Sequence, residues 1–243
     1  MQDGHHALNG LWRALPLLAA LSAAGCAEQG AGGTVRQAVF AEAFTPGFET
    51  TDTEGNRLRF AVHYAGHLAL PSGSLVICEP LYFHDQEPLK EKLPPGRYRV
   101  ELAEATIYRG GKAVDRRNAF ARIILAPGTA VEWREAGAFG ADGGTGGYID
   151  GKAMQALIDA GRAEAFSNEL LEAFEPVYAA AERFETDPDG YHQYVELPVG
   201  EANLIAFSTG WGDGWYASYL GLDNSGAVVE VLTDLGVVHW SPQ

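Results

Sequence analysis

The chain has 243 residues, 47% of them hydrophobic and 20% charged, which is enough to form at least one sizeable hydrophobic core. Its formal net charge is −15 at pH 7, and a surface this acidic repels nucleic-acid phosphates and anionic lipid, so we expect no nucleic-acid partner. The 30 glycines indicate many turns between short strands.

An uncharged apolar run, ALPLLAALSAAG, occupies residues 14–25. It is shorter than the roughly 20 residues that a membrane-spanning helix needs, and it matches the apolar core of a secretory signal. Gly25 and Cys26 end a stretch of small residues that resembles the bacterial lipobox, in which the cysteine is lipidated and becomes the mature N-terminus. The resemblance implies export to the cell envelope and a membrane anchor at Cys26. A plainly cleaved secretory protein and a fortuitous apolar stretch are the alternatives.

The same region sets the predicted domain organisation. We predict a signal peptide over residues 1–25, a lipid-anchored tether over 26–34 and a single β-rich domain over 35–243. With Cys26 lipidated, Cys78 has no partner for an intramolecular disulfide. Cys78 ends an apolar run, so we expect a buried structural thiol rather than a reactive one.

From residue 35 onward, short apolar or alternating stretches separated by turn signals predict a series of β-strands. Gly110 and Gly111 mark the tip of a hairpin. A polar, proline-rich stretch at 84–96 indicates a surface connection. The predicted strands are 35–44, 58–64, 75–78, 97–102, 119–125, 131–133, 191–197, 204–207, 215–219 and 227–232.

Helical periodicity is confined to the middle of the chain. Asp150 is suited to cap a helix over about 152–160 that ends near Gly161. An apolar stripe at 166–181 predicts a second helix, which Pro176 kinks or splits. The sequence therefore predicts an α+β fold, predominantly an antiparallel β-sandwich or open barrel, with one or two helices inserted around residues 151–184.

The most unusual stretch is 203–219, NLIAFSTGWGDGWYASY. It predicts a strand, a glycine-rich turn and a second strand, which together would form a hairpin. Trp211, Asp213 and Trp215 lie on this turn, and aromatic faces beside an acid are typical of a binding site. They are equally typical of a tight hairpin over a well-packed core, and the sequence leaves both interpretations open.

A second glycine-rich stretch follows Asp142. Backbone N–H groups of such turns can bind anions, but the neighbouring acid argues against phosphate, and the Walker lysine is missing. The stretch is either a structural turn or part of a polar site shared with Asp213. The candidate binding residues are Asp142, Gly143, Gly144, Thr145, Gly146, Trp211, Asp213 and Trp215.

Three segments in this order carry a family resemblance: Glu79-Pro80 after an apolar strand, residues 139–146, and Asn203 with 210–214. Together they resemble a bacterial domain of unknown function, numbered 4241 in its series, over roughly residues 55–238. The resemblance implies a fold and no established activity. Its pattern has Asp-Pro in the first segment; Glu79 places the carboxylate one methylene further out, which argues against a strict metal-ligand role.

Carboxylates are the main candidates for chemistry. Asp142, Asp150, Asp213 and Asp234 could gather with Glu79 around Ca²⁺ or Mg²⁺, but EF-hand spacing is missing. Asp150 and Asp234 are already explained as a helix cap and a turn residue. We therefore predict no metal and no cofactor.

Nucleophile and zinc-protease motifs are not matched. His63 and His67 lie on a predicted strand and its turn rather than on a helix, and Ser208 lacks the Gly-x-Ser-x-Gly pattern.

These observations lead to one function hypothesis and two alternatives. The first is a lipid-anchored envelope protein that binds a ligand or a protein partner. The second is a hydrolase that uses Glu79, Asp142 and Asp213, with or without a divalent ion. The third is a purely structural envelope protein. Whether the protein is an enzyme is left open by the sequence.

Overall fold

The computed structural model describes residues 39–83, 86–181 and 193–238. The predicted signal peptide, Cys26 and the tether lie outside the described residues. Within the described part, the fold is an α+β sandwich of two antiparallel sheets with helices on one side, so the first of the two predicted architectures is confirmed.

Eleven strands and two helices follow a helical turn at 39–42 in the described residues. In chain order they are β1 (Glu49–Thr51), β2 (Arg57–Leu70), β3 (Leu75–Cys78), β4 (Gly96–Arg109), β5 (Lys112–Ile124), β6 (Glu132–Ala141), β7 (Thr145–Asp150), α1 (Gly151–Asp159), α2 (Ala163–Ala181), β8 (Tyr194–Val199), β9 (Ala202–Ser208), β10 (Gly214–Leu222) and β11 (Val228–Asp234). The large sheet has the order β1-β2-β4-β5-β11-β10-β6, and the small sheet has the order β3-β7-β9-β8.

The main core lies between the two sheets. Alternating residues of β4, including Val100 and Leu102, meet Ile205 and Phe207 of the small sheet. Tyr148 of β7 is fully buried there, and its hydroxyl donates to the backbone carbonyl of Ala121 at 3.1 Å on the large sheet. Two further cores cover the outer faces of the sandwich.

The helices cover the outer face of the small sheet. Asp150 caps α1 as predicted, because its Oδ1 accepts from the backbone N–H of Lys152 at 2.9 Å. Leu170 and Phe174 of α2 are fully buried in the same core. Helix α2 continues through Pro176 rather than splitting there. Among the described residues, no helix is both long and apolar enough to cross a membrane.

The strand predicted at 35–44 is wrong for the residues that the structure describes, because 39–42 form a helical turn. Phe40, Ala43 and Phe44 recur at a spacing of three and four residues, which places them on one face of a helix. That face packs on the outer side of the large sheet, where the Phe40 ring lies 5.6 Å from the Phe120 ring.

The hairpin predicted at 203–219 is also wrong. Strand β9 pairs with β7 and β8 in the small sheet, whereas β10 pairs with β6 and β11 in the large sheet. The glycine-rich turn therefore carries the chain from one sheet to the other. The two predicted strands exist, but each finds its partners elsewhere in the sequence.

Candidate functional site

The two glycine-rich stretches meet at one end of the sandwich. The last pair of the β6–β10 ladder is Ala141 with Gly214, so the first stretch begins directly beside the point where the second ends. The backbone carbonyl of Gly144 accepts from the N–H of Thr209 at 2.9 Å. A Cβ atom on Gly144 would lie only 3.3 Å from the Gly212 Cα. We call residues 142–146 the Glu79-bound turn and residues 209–215 the tryptophan turn.

Glu79 holds the first of these turns through both carboxylate oxygens. Its Oε2 accepts from the backbone N–H of Asp142 at 2.6 Å, and its Oε1 accepts from that of Gly143 at 2.6 Å. The Thr145 hydroxyl lies 3.3 Å from the same Oε1. Glu79 itself is 3% exposed. The N–H groups that the sequence suggested for an external anion are thus bound to a carboxylate of the protein itself.

The packing of this turn explains its glycines. A Cβ atom on Gly143 would lie 2.7 Å from Glu79 Oε1, and one on Gly146 would lie 2.9 Å from the rings of Phe139 and Phe207. Thr145 and Gly146 are buried in the interior, so they support the turn rather than line its surface.

Cys78, next to Glu79, is a buried thiol, as predicted. Burial raises the pKa of Cys78 to about 12, and the neighbouring Glu79 carboxylate acts in the same direction. At neutral pH the thiolate is therefore almost unpopulated, and this cysteine is suited to packing rather than to nucleophilic chemistry.

The tryptophan turn is fixed by hydrogen bonds to one carbonyl. The Gly212 carbonyl accepts from the Thr209 hydroxyl at 2.7 Å and from the Tyr216 hydroxyl at 2.6 Å. Burial raises the pKa of Tyr216, and the charge of Asp213 raises it as well, so the hydroxyl remains a donor. A Cβ atom on Gly210 would lie 2.2 Å from the backbone carbonyl oxygen of Leu235, so this close approach requires glycine.

Both tryptophan rings face solvent. Trp211 is 48% exposed, and the Arg117 guanidinium lies 5.3 Å from its ring centroid. Trp215 is 80% exposed, and its ring covers Gly140, where a Cβ atom would lie 3.6 Å from the Trp215 Cζ2. The sequence left open whether this motif forms a binding site or a tight hairpin over a packed core. The exposure of both rings excludes the packed-core interpretation for them.

The predicted acids divide into an exposed pair and buried structural residues. Asp142 and Asp213 are exposed and directly flank the last pair of the β6–β10 ladder. Asp150 caps α1, and Asp234 is buried and accepts from the Gly236 N–H at 2.9 Å. Across residues 39–83, 86–181 and 193–238, no group of three or more His, Cys, Asp or Glu side chains is placed to hold a metal ion.

Sequence reasoning missed a polar cluster between the sheets. Glu104 is 2% exposed, and its Oε1 lies 3.0 Å from Arg116 Nε and 3.3 Å from His63 Nε2. The Gln193 amide lies 3.3 Å from the other carboxylate oxygen. The sequence did contain one signal for the cluster. Glu104 is charged, yet it lies two positions after Leu102 and therefore on the same, buried face of the strand. The partners are far apart in sequence, so that signal does not identify them.

A second layer of this cluster joins the sheets. The Asn118 amide donates to the backbone carbonyls of Gln193 and Ser208, each at 3.0 Å, and the Ser208 hydroxyl donates to the Gln193 side chain at 2.7 Å. The β4–β5 register shifts by one residue between the pairs Ala103–Phe120 and Glu104–Asn118, and this β-bulge places Asn118 opposite Glu104. The cluster fixes the strand that leads into the tryptophan turn.

A family model described as "Protein of unknown function (DUF4241)" matches residues 68–233, which is more than half of the chain. The chain belongs to the DUF4241 family. Neither a curated protein nor a solved structure matches it.

Both turns lie within the residues that the DUF4241 model matches. The match runs from the end of β2 to the end of β11 and includes Glu79, the Glu79-bound turn and the tryptophan turn. It leaves out residues 39–67, which contain β1 and its connection to β2.

Proposed function

We propose that this DUF4241 protein is an exported, lipid-anchored envelope protein whose β-rich domain binds a ligand or partner at the tryptophan turn. The observation that carries the proposal is the exposure of two indole rings, 48% for Trp211 and 80% for Trp215, on a turn that the fold holds rigidly. Large amphipathic rings at exposed positions contribute little to folding and much to recognition. Asp142 and Asp213 add exposed carboxylates beside them.

The contacts of Glu79 favour binding over hydrolysis. A hydrolase using Glu79, Asp142 and Asp213 needs these carboxylates available to a substrate and to water. Both oxygens of Glu79 instead accept backbone N–H groups of the Glu79-bound turn at 2.6 Å. This leaves Asp142 and Asp213 as exposed polar groups, which suits an interaction surface.

Binding is tested by presenting the purified protein to arrays of saccharides and of short peptides. We expect saturable binding to at least one class, which is lost in a variant carrying both Trp211→Ala and Trp215→Ala. Tyr82→Ala is the matched control, because Tyr82 is a 55% exposed aromatic residue in the connection after β3. Equal binding by the double variant and the wild type would refute the proposed site.

The anchor is tested separately by mass spectrometry of the protein isolated from its own membranes. The proposal expects a mature N-terminus at Cys26 that carries a diacylglyceryl group. An unmodified N-terminus elsewhere would refute anchoring without affecting the binding test. A Cys26→Ser variant, which cannot be lipidated, should leave the membrane fraction.

A further inference from the structure

Trp211 forms one wall of a cleft at the end of the large sheet. The cleft has a volume of about 440 Å³, within the roughly 300–1,000 Å³ range of small-ligand sites. It lies between the β1–β2 connection, the β4–β5 hairpin and the tryptophan turn. Its lining residues of most interest are Asp52, Glu54, Asn56, Arg109, Asp115 and Trp211. We call it the Trp211 cleft.

The apolar wall of the cleft is pre-organised. The Arg117 guanidinium lies over the Trp211 ring, and its Nη1 donates to the Gly210 carbonyl at 3.3 Å. The ring is therefore held between its own turn and Arg117, yet it remains 48% exposed. Val114, which is 44% exposed, adds a second apolar contact to the cleft. A flat ligand can stack here without ordering the protein.

The polar wall of the cleft is held by hydrogen bonds within the β1–β2 connection and by one contact to β4. Asp52 accepts from the backbone N–H of Asn56 at 2.8 Å and from its amide Nδ2 at 2.9 Å. The same amide also donates to Glu54 Oε2 at 3.3 Å, and its Oδ1 accepts from Arg109 Nε at 3.4 Å. Asn56 is 9% exposed, so it supports the cleft wall rather than offering free polar groups. Glu54 lies 3.8 Å from Arg109 Nη2.

The hairpin side of the cleft is paired in the same way. Asp115 Oδ2 lies 2.9 Å from Arg117 Nη2, and Asp115 Oδ1 accepts from the Arg116 backbone N–H at 2.7 Å. A charged ligand would have to compete with these internal pairs. A neutral ligand with several hydroxyl groups can instead use the remaining lone pairs and N–H groups of the same side chains.

We propose that the Trp211 cleft binds one ring of a neutral saccharide, with the C–H face of the sugar on Trp211 and its hydroxyl groups on Arg109 and Asp115. This inference rests on the proposed binding function and names its ligand class. Sugar rings combine an apolar face with a polar edge, and the cleft offers one aromatic wall opposite oriented polar groups. The β1–β2 side of the cleft precedes the residues matched by the DUF4241 model, whereas Trp211 and Asp115 lie within them.

The test is isothermal titration calorimetry of the purified protein with maltotriose, cellotriose and the trimer of N-acetylglucosamine. We expect at least one trisaccharide to bind saturably with one site per chain. Trp211→Ala should weaken that affinity by about tenfold or more, the loss that about 1.4 kcal/mol of contact energy produces. Tyr82→Ala should bind like the wild type.

A second variant, Val114→Trp, blocks the cleft without removing the Trp211 ring. It should also weaken binding, while near-identical circular dichroism spectra show that both variants fold. Trisaccharide binding that neither Trp211→Ala nor Val114→Trp weakens would overturn the assignment to this cleft.

A tetralysine peptide and a tetraglutamate peptide separate the possible failures. If one of the peptides binds in a Trp211-dependent manner and the trisaccharides do not, the saccharide inference is overturned and the proposed binding function stands. If neither trisaccharides nor peptides bind and the arrays are also silent, both fail.

Discussion

The two glycine-rich turns have similar sequences, Gly-Ala-Asp-Gly-Gly at 140–144 and Gly-Trp-Gly-Asp-Gly at 210–214, but different surroundings. The Glu79-bound turn donates two backbone N–H groups to a buried carboxylate and packs its glycines against protein side chains. The tryptophan turn is held mainly by its own carbonyl at Gly212 and places two aromatic rings in solvent.

This difference shows that glycine content alone does not indicate a binding site. At Gly143 and Gly146 of the first stretch, protein atoms lie within 2.9 Å of the position that a Cβ would take. In the tryptophan turn, Gly210 is packed as closely, against the Leu235 carbonyl oxygen, but a Cβ on Gly212 would meet nothing within 4 Å, and that glycine serves only the backbone φ of +96°. A ligand site is better recognised by exposed rings on a fixed backbone than by the glycines themselves.

The largest effect is expected when the Glu79 carboxylate is removed. Glu79→Ala leaves the N–H groups of Asp142 and Gly143 without their acceptor, and each lost partner costs about 1–3 kcal/mol. We expect the free energy of unfolding in urea to fall by about 3 kcal/mol. Glu79→Gln keeps one acceptor oxygen, so it should lose about half as much.

Cys78 provides a second readout of the same change. Because burial raises its pKa to about 12, the thiol should not react with Ellman's reagent at pH 8 in the native protein. In Glu79→Ala the neighbouring charge is gone and the turn is loosened, so slow labelling should appear. A loss below about 1 kcal/mol in Glu79→Ala, with no labelling, would contradict the role assigned to the carboxylate.

The sequence predicted most of the fold where the signal was local. Gly110 and Gly111 connect β4 and β5 as expected, and Asp150 caps α1, because each depends on residues a few positions away. The pairing of β9 and β10 could not be predicted in this way. Both strands look like arms of a hairpin, but their hydrogen-bond partners are β7, β8, β6 and β11.

The candidate site could be predicted only in part, because it too depends on contacts between segments that are distant in the sequence. The sequence indicated Trp211 and Trp215 but could not decide between core and solvent, since that depends on which sheet β10 joins. It also could not reveal that Glu79 contacts a turn 63 residues later in the chain. The Trp211 cleft depends on the β1–β2 connection, which approaches Trp211 only in the folded protein.

A smaller effect is expected from adding one methyl group at each glycine-rich stretch. Gly146→Ala places a Cβ 2.9 Å from the rings of Phe139 and Phe207, and such overpacking costs about 1–3 kcal/mol. Gly212→Ala meets no neighbour and should lose only about 1 kcal/mol, from its positive φ. Urea unfolding of the two variants side by side measures the difference. Equal losses would show that packing constrains Gly212 as much as Gly146.

The smallest effect on stability is expected at the exposed rings. Trp215 is 80% exposed, so Trp215→Ala should change the free energy of unfolding by no more than about 0.5 kcal/mol, as for other surface substitutions. Trp211→Ala removes the contact with the Arg117 guanidinium and should lose about 0.5–1 kcal/mol. Differential scanning calorimetry of both variants provides the measurement.

A loss of more than about 2 kcal/mol for either ring would mean that the tryptophan supports the fold, as Glu79 does, and the contrast between the two turns would disappear. A small loss together with abolished ligand binding would instead separate recognition at the tryptophan turn from stability at the Glu79-bound turn.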